Sequence, residues 1–279
     1  MQIALISDTH LTPFEPAFDA NLLAAKRWIS TQAIDLTIHL GDITADGAVR
    51  SDELGYAAAQ LADWPSPLRM IPGNHDIGDN PGETAKTLVS PQRLDRYEAA
   101  FGWSYWMQQT AGWTLIGLNA QLLGRCDTLE AEQATWLEAL LPSITGPVGL
   151  FLHKPLFREG PADTSRHHRY VPVAARDDLL RRLAAIDLRF VASGHTHQSR
   201  KLHIGGVEHV WVPSTAFVLP DVAQERIGEK ETAMMLLTLT ADAYDFALVH
   251  PAGMVEHDLL DHVHVYPDQA AALRALGGR

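Results

Sequence analysis

Five short runs of apolar residues divide the chain, and each ends in side chains able to bind a metal. Ile3-Ala4-Leu5-Ile6-Ser7 leads into Asp8-Thr9-His10, and Leu36-Thr37-Ile38-His39-Leu40 into Gly41-Asp42. Leu68-Arg69-Met70-Ile71-Pro72 leads into Gly73-Asn74-His75-Asp76, where the glycine is expected to allow a backbone bend that a side chain would forbid. Val148-Gly149-Leu150-Phe151-Leu152 ends in His153, and Arg189-Phe190-Val191-Ala192-Ser193 ends in Gly194-His195-Thr196-His197. Near-continuous apolar runs of this length suit strands buried on both faces. In open α/β sheets ligands bind beyond the carboxyl ends of the strands, so five polar clusters at five such ends predict one shared site.

Between these runs lie patterns of helical period, at residues 17–31, from 51 onward, 91–102, 128–141 and about 172–186. Ser51 is expected to cap the second, with Asp52 and Glu53 in its first turn. Ser90 followed by Pro91 starts the third, and Asp127 or Thr128 the fourth, which Pro142 ends. The alternation predicts an α/β fold with sheets covered by helices. After His197 two hairpins replace it, 201–204 with 207–212 around Gly205-Gly206, and 234–239 with 244–249. Both are expected to extend a second sheet within a single domain spanning 1–279. The hairpin-rich part covers about 198–266, followed by a short or frayed tail, 267–279.

Composition narrows the function. With 279 residues, 46% of them hydrophobic, the chain can bury a large core. A formal net charge of −12 argues against long nucleic acid as a partner. The single Cys126 excludes an intrachain disulfide framework. A first strand starting almost at Met1, with no apolar run of about 18 residues, leads us to expect a cytoplasmic protein with no membrane partner. The oligomeric state is left open, a homo-oligomer included.

Asp8, His10, Asp42, Asn74, His153, His195 and His197 together offer carboxylate, imidazole and amide donors without a thiolate. This mixture suits Mn, Fe or Zn better than Ca. Seven donors exceed the three or four of a single catalytic zinc. Two metals about 3.5–4 Å apart, sharing one carboxylate, are the economical reading. Asp42 is the candidate bridge, because its motif supplies one donor only. Seven donors also leave room for some to act through hydrogen bonds to the ligands.

The ordered set Asp8-x-His10, Gly41-Asp42, Gly73-Asn74-His75-Asp76, His153 and Gly194-His195-x-His197 resembles the calcineurin-like metallophosphoesterases from residue 3 to about 215. The chain looks most similar to their bacterial cyclic-nucleotide-type (class III) phosphodiesterase branch, which it enters with Ser7-Asp8-Thr9-His10-Leu11. It departs from that branch at Lys154, where another histidine is common. The resemblance implies a four-layer α-β-β-α sandwich of two mixed sheets flanked by helices. It also implies Asp8, His10 and His197 on the first metal, Asn74, His153 and His195 on the second, and Asp42 on both. A metal-bridging hydroxide would attack phosphorus, and His75, oriented by Asp76, would hydrogen-bond the phosphoryl group or protonate the leaving alkoxide.

Lys154, Arg158, Arg166, His167, His168 and Arg169 are expected either as a solvated loop or as a basic lip holding the rest of an anionic substrate, with Lys154 and Arg158 its contacts. Asn119 either faces the site or caps a turn. His39 reads as a core histidine, the tryptophans as packing, and His257, His262 and His264 as surface groups. The function expected is hydrolysis of a small phosphodiester of cyclic-nucleotide or glycerophosphodiester type. A phosphomonoesterase is the nearest rival, and a non-catalytic interaction module the alternative of a different class.

Overall fold

A computed structural model describes residues 1–81, 87–164 and 167–277. The first sheet contains β1 (Gln2–Ile6), β2 (Leu36–His39), β3 (Leu68–Met70), β10 (Met234–Leu239) and β11 (Tyr244–Val249), in the order β11-β10-β1-β2-β3. The second contains β4 (Trp106–Thr110), β5 (Trp113–Gly117), β6 (Pro147–Leu152), β7 (Asp187–Ser193), β8 (Arg200–Ile204) and β9 (Val207–Trp211), in the order β4-β5-β6-β7-β9-β8. Both are mixed. Strands β1, β2 and β3 run parallel, as do β5, β6, β7 and β9, while hairpin partners are antiparallel.

Strand periodicity explains the layering. Ile3 and Leu5 on β1 point into a core shared with Phe151, Phe190 and Val210 of the other sheet. Ala4 and Ile6, on the opposite face, pack against Leu22, Ala25 and Ile29 of α1 (Pro16–Thr31) and Ala57 and Leu61 of α2 (Asp52–Leu61). Leu94 and Tyr97 of α4 (Pro91–Phe101) join that layer. On the far side, Val148, Leu150 and Val191 meet Leu137 of α5 (Thr128–Leu140) and Leu179 and Leu183 of α6 (Val173–Leu183). The result is helix, sheet, sheet, helix. A strand with both faces covered is apolar at nearly every position, as β1 and β6 are, whereas β3, expected to be buried in the same way, lies at the edge of its sheet and is half-buried with Arg69 exposed.

The helix starts follow their capping chemistry. Ser90 accepts from the Arg93 amide at 3.3 Å, and Asp127 from the Leu129 amide at 3.1 Å. Ser51 makes no such bond. Glu53, expected to serve the dipole of α2, is instead buried and accepts from the Thr12 hydroxyl and the Asp46 amide, each at 2.7 Å. The two hairpins do not share a sheet. Strands β8 and β9 extend the second, whereas β10 and β11 join the first beside β1, because β10 pairs with the edge that β1 leaves open. Strand β4 lay outside the predicted elements, its alternating half-buried and exposed residues lacking an apolar run. Among the described residues no helix is long and apolar enough to cross a membrane.

Candidate metal centre

The five loops leaving β1, β2, β3, β6 and β7 bring Asp8, His10, Asp42, Asn74, His153, His195 and His197 to one end of the two sheets. Turning a side chain back over a strand end requires an unusual backbone. Eight described residues other than glycine have positive φ, and five of them are Asp8, His10, Asp42, His195 and His197, at 46–66°. This conformation costs on the order of 1–2 kcal/mol per residue, so strain is concentrated where the donors converge. Gly73 itself has φ −104°, which any residue can adopt; it must be glycine because a Cβ there would lie 2.1 Å from Asp42 Oδ1. At Gly194 a Cβ would lie 1.9 Å from Ser7 Oγ.

The donors fall into two sets. Ligand atoms of Asp8, His10 and His197 lie within 4.8 Å of one another, as do those of Asp42, His153 and His195. His10, Asp42 and His75 form a third group that joins the two. Asn74 Oδ1 lies 3.3 Å from His153 Nε2, and His195 Nδ1 lies 3.1 Å from the same nitrogen. Asp8 Oδ2 accepts from Ser7 Oγ at 2.5 Å and from the His195 amide at 2.9 Å.

Groups behind the rings decide which nitrogen faces inward. His153 Nδ1–H donates to the Leu40 carbonyl at 2.8 Å and His197 Nδ1–H to the Phe217 carbonyl at 2.8 Å, leaving Nε2 of each to the interior. Such partners fix tautomer and orientation. The interior then holds mostly acceptors. His153 Nε2 stands 3.2 Å from Asp42 Oδ2, and His197 Nε2 stands 3.4 Å from Asp8 Oδ1 and 3.2 Å from His10 Nε2. Only a proton or a metal ion between such atoms makes these approaches favourable. Asp8 Oδ1 and His195 Nε2 are buried and have no hydrogen-bond partner, which fits a centre built around cations. Burial alone would raise Asp42, but the surrounding imidazoles, His153 first, hold it well below the ordinary carboxylate range. Burial opposes a charge on His153, yet the Asp42 carboxylate outweighs it and brings the ring up to about 9. His10 is driven well below its usual value by burial and then by His75, as is His195 by burial and then by His153.

His75 Nδ1–H donates to the Ala45 carbonyl at 2.5 Å, its ring stands edge-on to His10 at 4.9 Å, and its amide donates to Asp42 Oδ1 at 2.8 Å. Asp76 does not orient it. That carboxylate accepts from the Gly73 and Thr44 amides at 2.8 Å each, from the Thr44 hydroxyl at 2.8 Å and from the Ile43 amide at 3.2 Å, holding two loops together beneath the site.

Of the two readings of the segment from Lys154 to Arg169, the basic lip finds little support among the described residues. Lys154 is buried against Asp79 and, at 2.7 Å, Asn80 Oδ1, so it supports the loop after β3. Arg158 pairs with Glu225 at 2.9 Å and Glu159 at 3.3 Å on the surface. Arg166 lies outside the described residues. Asn119 is a turn cap, accepting from the Gln121 amide at 3.0 Å in the core. Of that segment, His168 and Arg169 line the cleft of about 460 Å³ over the donors, together with Asp46, Asp79 and Asp268. His39 is buried, 2.9 Å from the Thr9 hydroxyl, and burial lowers it to about 3.

One site residue had no signal in the sequence. The Tyr266 hydroxyl lies 2.9 Å from His10 Nδ1, and Leu259, Pro267, Gln269 and Leu273 join it along the cleft. A lone tyrosine in a histidine-bearing tail carries no spacing that points 256 residues back.

Buried carboxylates and imidazoles at the strand ends of two facing mixed sheets define a metal-dependent phosphoesterase. The profile of the calcineurin-like phosphoesterases matches residues 1–199, and the chain belongs to that family. A probable cyclic nucleotide phosphodiesterase of Psychrobacter arcticus is 26% identical over 239 residues, 78% of this chain and 81% of its own length. The Mus musculus serine/threonine-protein phosphatase CPPED1 is 29% identical over 147 residues, 50% of this chain and 44% of its own. In fold, a dimetal phosphatase from Danio rerio superposes with a TM-score of 0.62 at 15% identity, covering 92% of this chain and 97% of the other. Family and clustered donors together imply a dinuclear metal site.

Proposed function

We propose that this chain is a phosphodiesterase of small molecules, with Asp8, His10 and His197 on one metal, Asn74, His153 and His195 on the other, and Asp42 on both. The metals are Mn, Fe or Zn, since the donors are oxygen and nitrogen without sulfur. Bound there, the pair supplies Lewis acidity and an activated water.

The observation that carries the reading is His75. With Nδ1–H committed to Ala45, its Nε2 is the free atom, beside His10 and Asp42 and at the floor of the cleft. Protonated there, the ring can give its proton to the departing alkoxide, while Ala45 keeps it in position. Asp46 and Asp268 on the walls favour a monoanionic diester over a dianion, and the Psychrobacter relative bears a phosphodiesterase name over most of its length. A phosphomonoesterase is the second reading, supported by Arg169, a cation among the residues that line the same cleft.

The test compares parent and His75→Ala on an alkyl diester, a nitrophenyl diester and a nitrophenyl monoester, with metal content measured in each preparation. The parent should prefer diesters. The variant should lose about 10²–10⁴-fold on the alkyl diester and clearly less on the nitrophenyl diester, with its metal retained. A parent that prefers the monoester overturns the diester assignment. An equal loss on both diesters removes the proton-donor role.

A further inference from the structure

Residues 257–273 lie beyond the 1–199 matched by the family profile and return to the cleft. Their path is held at several points. The Val218 amide donates to His257 O at 2.8 Å, and the Leu259 amide to Val218 O at 3.1 Å. Two short 3-10 turns over Leu259–Val265, broken by a kink at His262, follow. From them His262 Nδ1 reaches Glu15 Oε2 at 2.6 Å, at the start of α1, and the Arg50 guanidinium donates to Val265 O at 3.1 and 3.2 Å. Leu259, Val265 and Tyr266 pack with Phe18, Ala45 and Phe217. These attachments deliver the Tyr266 hydroxyl to His10 Nδ1 in the interior, with the ring edge-on to His75 at 5.6 Å.

The back of each inward-facing ring shows why this contact matters. His153 and His197 are held by backbone carbonyls of loops that themselves carry or adjoin the donors. His10 is held by a side-chain hydroxyl from the far end of the chain. A ring whose rear nitrogen is unpaired can rotate, and loss of such a partner typically weakens a metal 10–100-fold. Packing alone would not require the oxygen, since phenylalanine fills the same space.

We infer that Tyr266 is a positioning residue for His10, so that the C-terminal segment is part of the metal centre and governs retention of the metal bound by Asp8, His10 and His197. The inference rests on the metal assignment above.

The test measures binding of Co(II) to the full chain, by equilibrium titration and by its visible absorption, in the parent, Tyr266→Phe and His262→Asn. Tyr266→Phe should weaken one of the two metals by about 10–100-fold, alter the visible spectrum of that site, and leave thermal stability of the metal-free chain unchanged. His262→Asn touches no donor and only loosens the clamp on Glu15; it should weaken the same metal by a smaller factor, about threefold for each 0.65 kcal/mol of lost restraint. Parental affinity and spectrum in both variants overturn the inference. A parent that takes up no metal overturns the metal assignment instead, so the two failures are distinct. If Tyr266→Phe does not fold, an unchanged affinity in His262→Asn decides against the inference.

Discussion

The two sets of donors are built differently. Around Asp8, His10 and His197, the groups behind the donors are all engaged: Ser7 and the His195 amide on Asp8, Tyr266 on His10, the Phe217 carbonyl on His197. Around Asp42, His153 and His195, the carbonyl of Leu40 holds His153 and the His75 amide holds Asp42, but His195 Nε2 has no partner and Asn74 is half-exposed. The first set is therefore preorganised by contacts from three parts of the chain, and the second carries a ring held on one side by His153 but without a partner at its other nitrogen. Preorganisation lowers the cost of arranging ligands around a cation. The first set should hold its metal more tightly, with the second metal exchanging first.

The largest effect expected is that of Asp42→Ala. Its carboxylate lies in one group with His153 and His195 and in another with His10 and His75, so both metals should be lost and hydrolysis with them. Elemental analysis showing one metal fully retained would separate the two sets completely and remove the bridge. Next is Lys154→Ala, which strips the buried cation from Asp79 beside the second set. Breaking such a pair should lower stability by about 3 kcal/mol in urea unfolding, with KM unchanged for the folded fraction. Arg158→Ala, whose partners are surface carboxylates, should change neither. A raised KM in either variant would restore the basic lip.

A pH dependence also distinguishes the sets. In the metal-free chain Asp42 keeps a proton on His153 up to about 9, and a metal entering the second set must displace it. Affinity there should fall about tenfold for each unit of pH below that value, with one proton released per metal. His10 in the first set is held well below its ordinary value, so it carries no proton to displace near neutrality. Titration calorimetry in two buffers of different ionisation enthalpy measures the difference. Equal proton release from both sites would erase it.

Much of this centre was readable along the chain, since short-range chemistry places it there. An apolar run buried on both faces must end where its backbone leaves the sheet, and polar residues at that point have little choice but to lie at the strand's end. Hence seven side chains that converge at one end of the sheets could be listed from five motifs without coordinates. The partners behind them could not. Lys154 followed a proposed ligand and carried the right charge, yet β6 delivers it to the interior, where Asp79 waits. Asp76 adjoins His75, but the short helix α3 (Asn74–Ile77) turns successive residues apart, and the two side chains bond different groups of the loop after β2, Asp76 the Ile43 and Thr44 amides and His75 the Ala45 carbonyl. Both hairpins were legible as hairpins, but only the free edge of β1 decides that the second joins the other sheet.

The line between the two kinds of information follows the range of the forces involved. Strand, turn and ligand identity are set by neighbours within a few residues, through periodicity, capping and the chemistry of the donor atoms. Which nitrogen faces inward, which charge is already neutralised and which distant hydroxyl stands behind His10 depend on groups up to 256 positions away. Those groups meet only when the two sheets close on their common core, because a hydrogen bond acts over about 3 Å and leaves no period in the sequence.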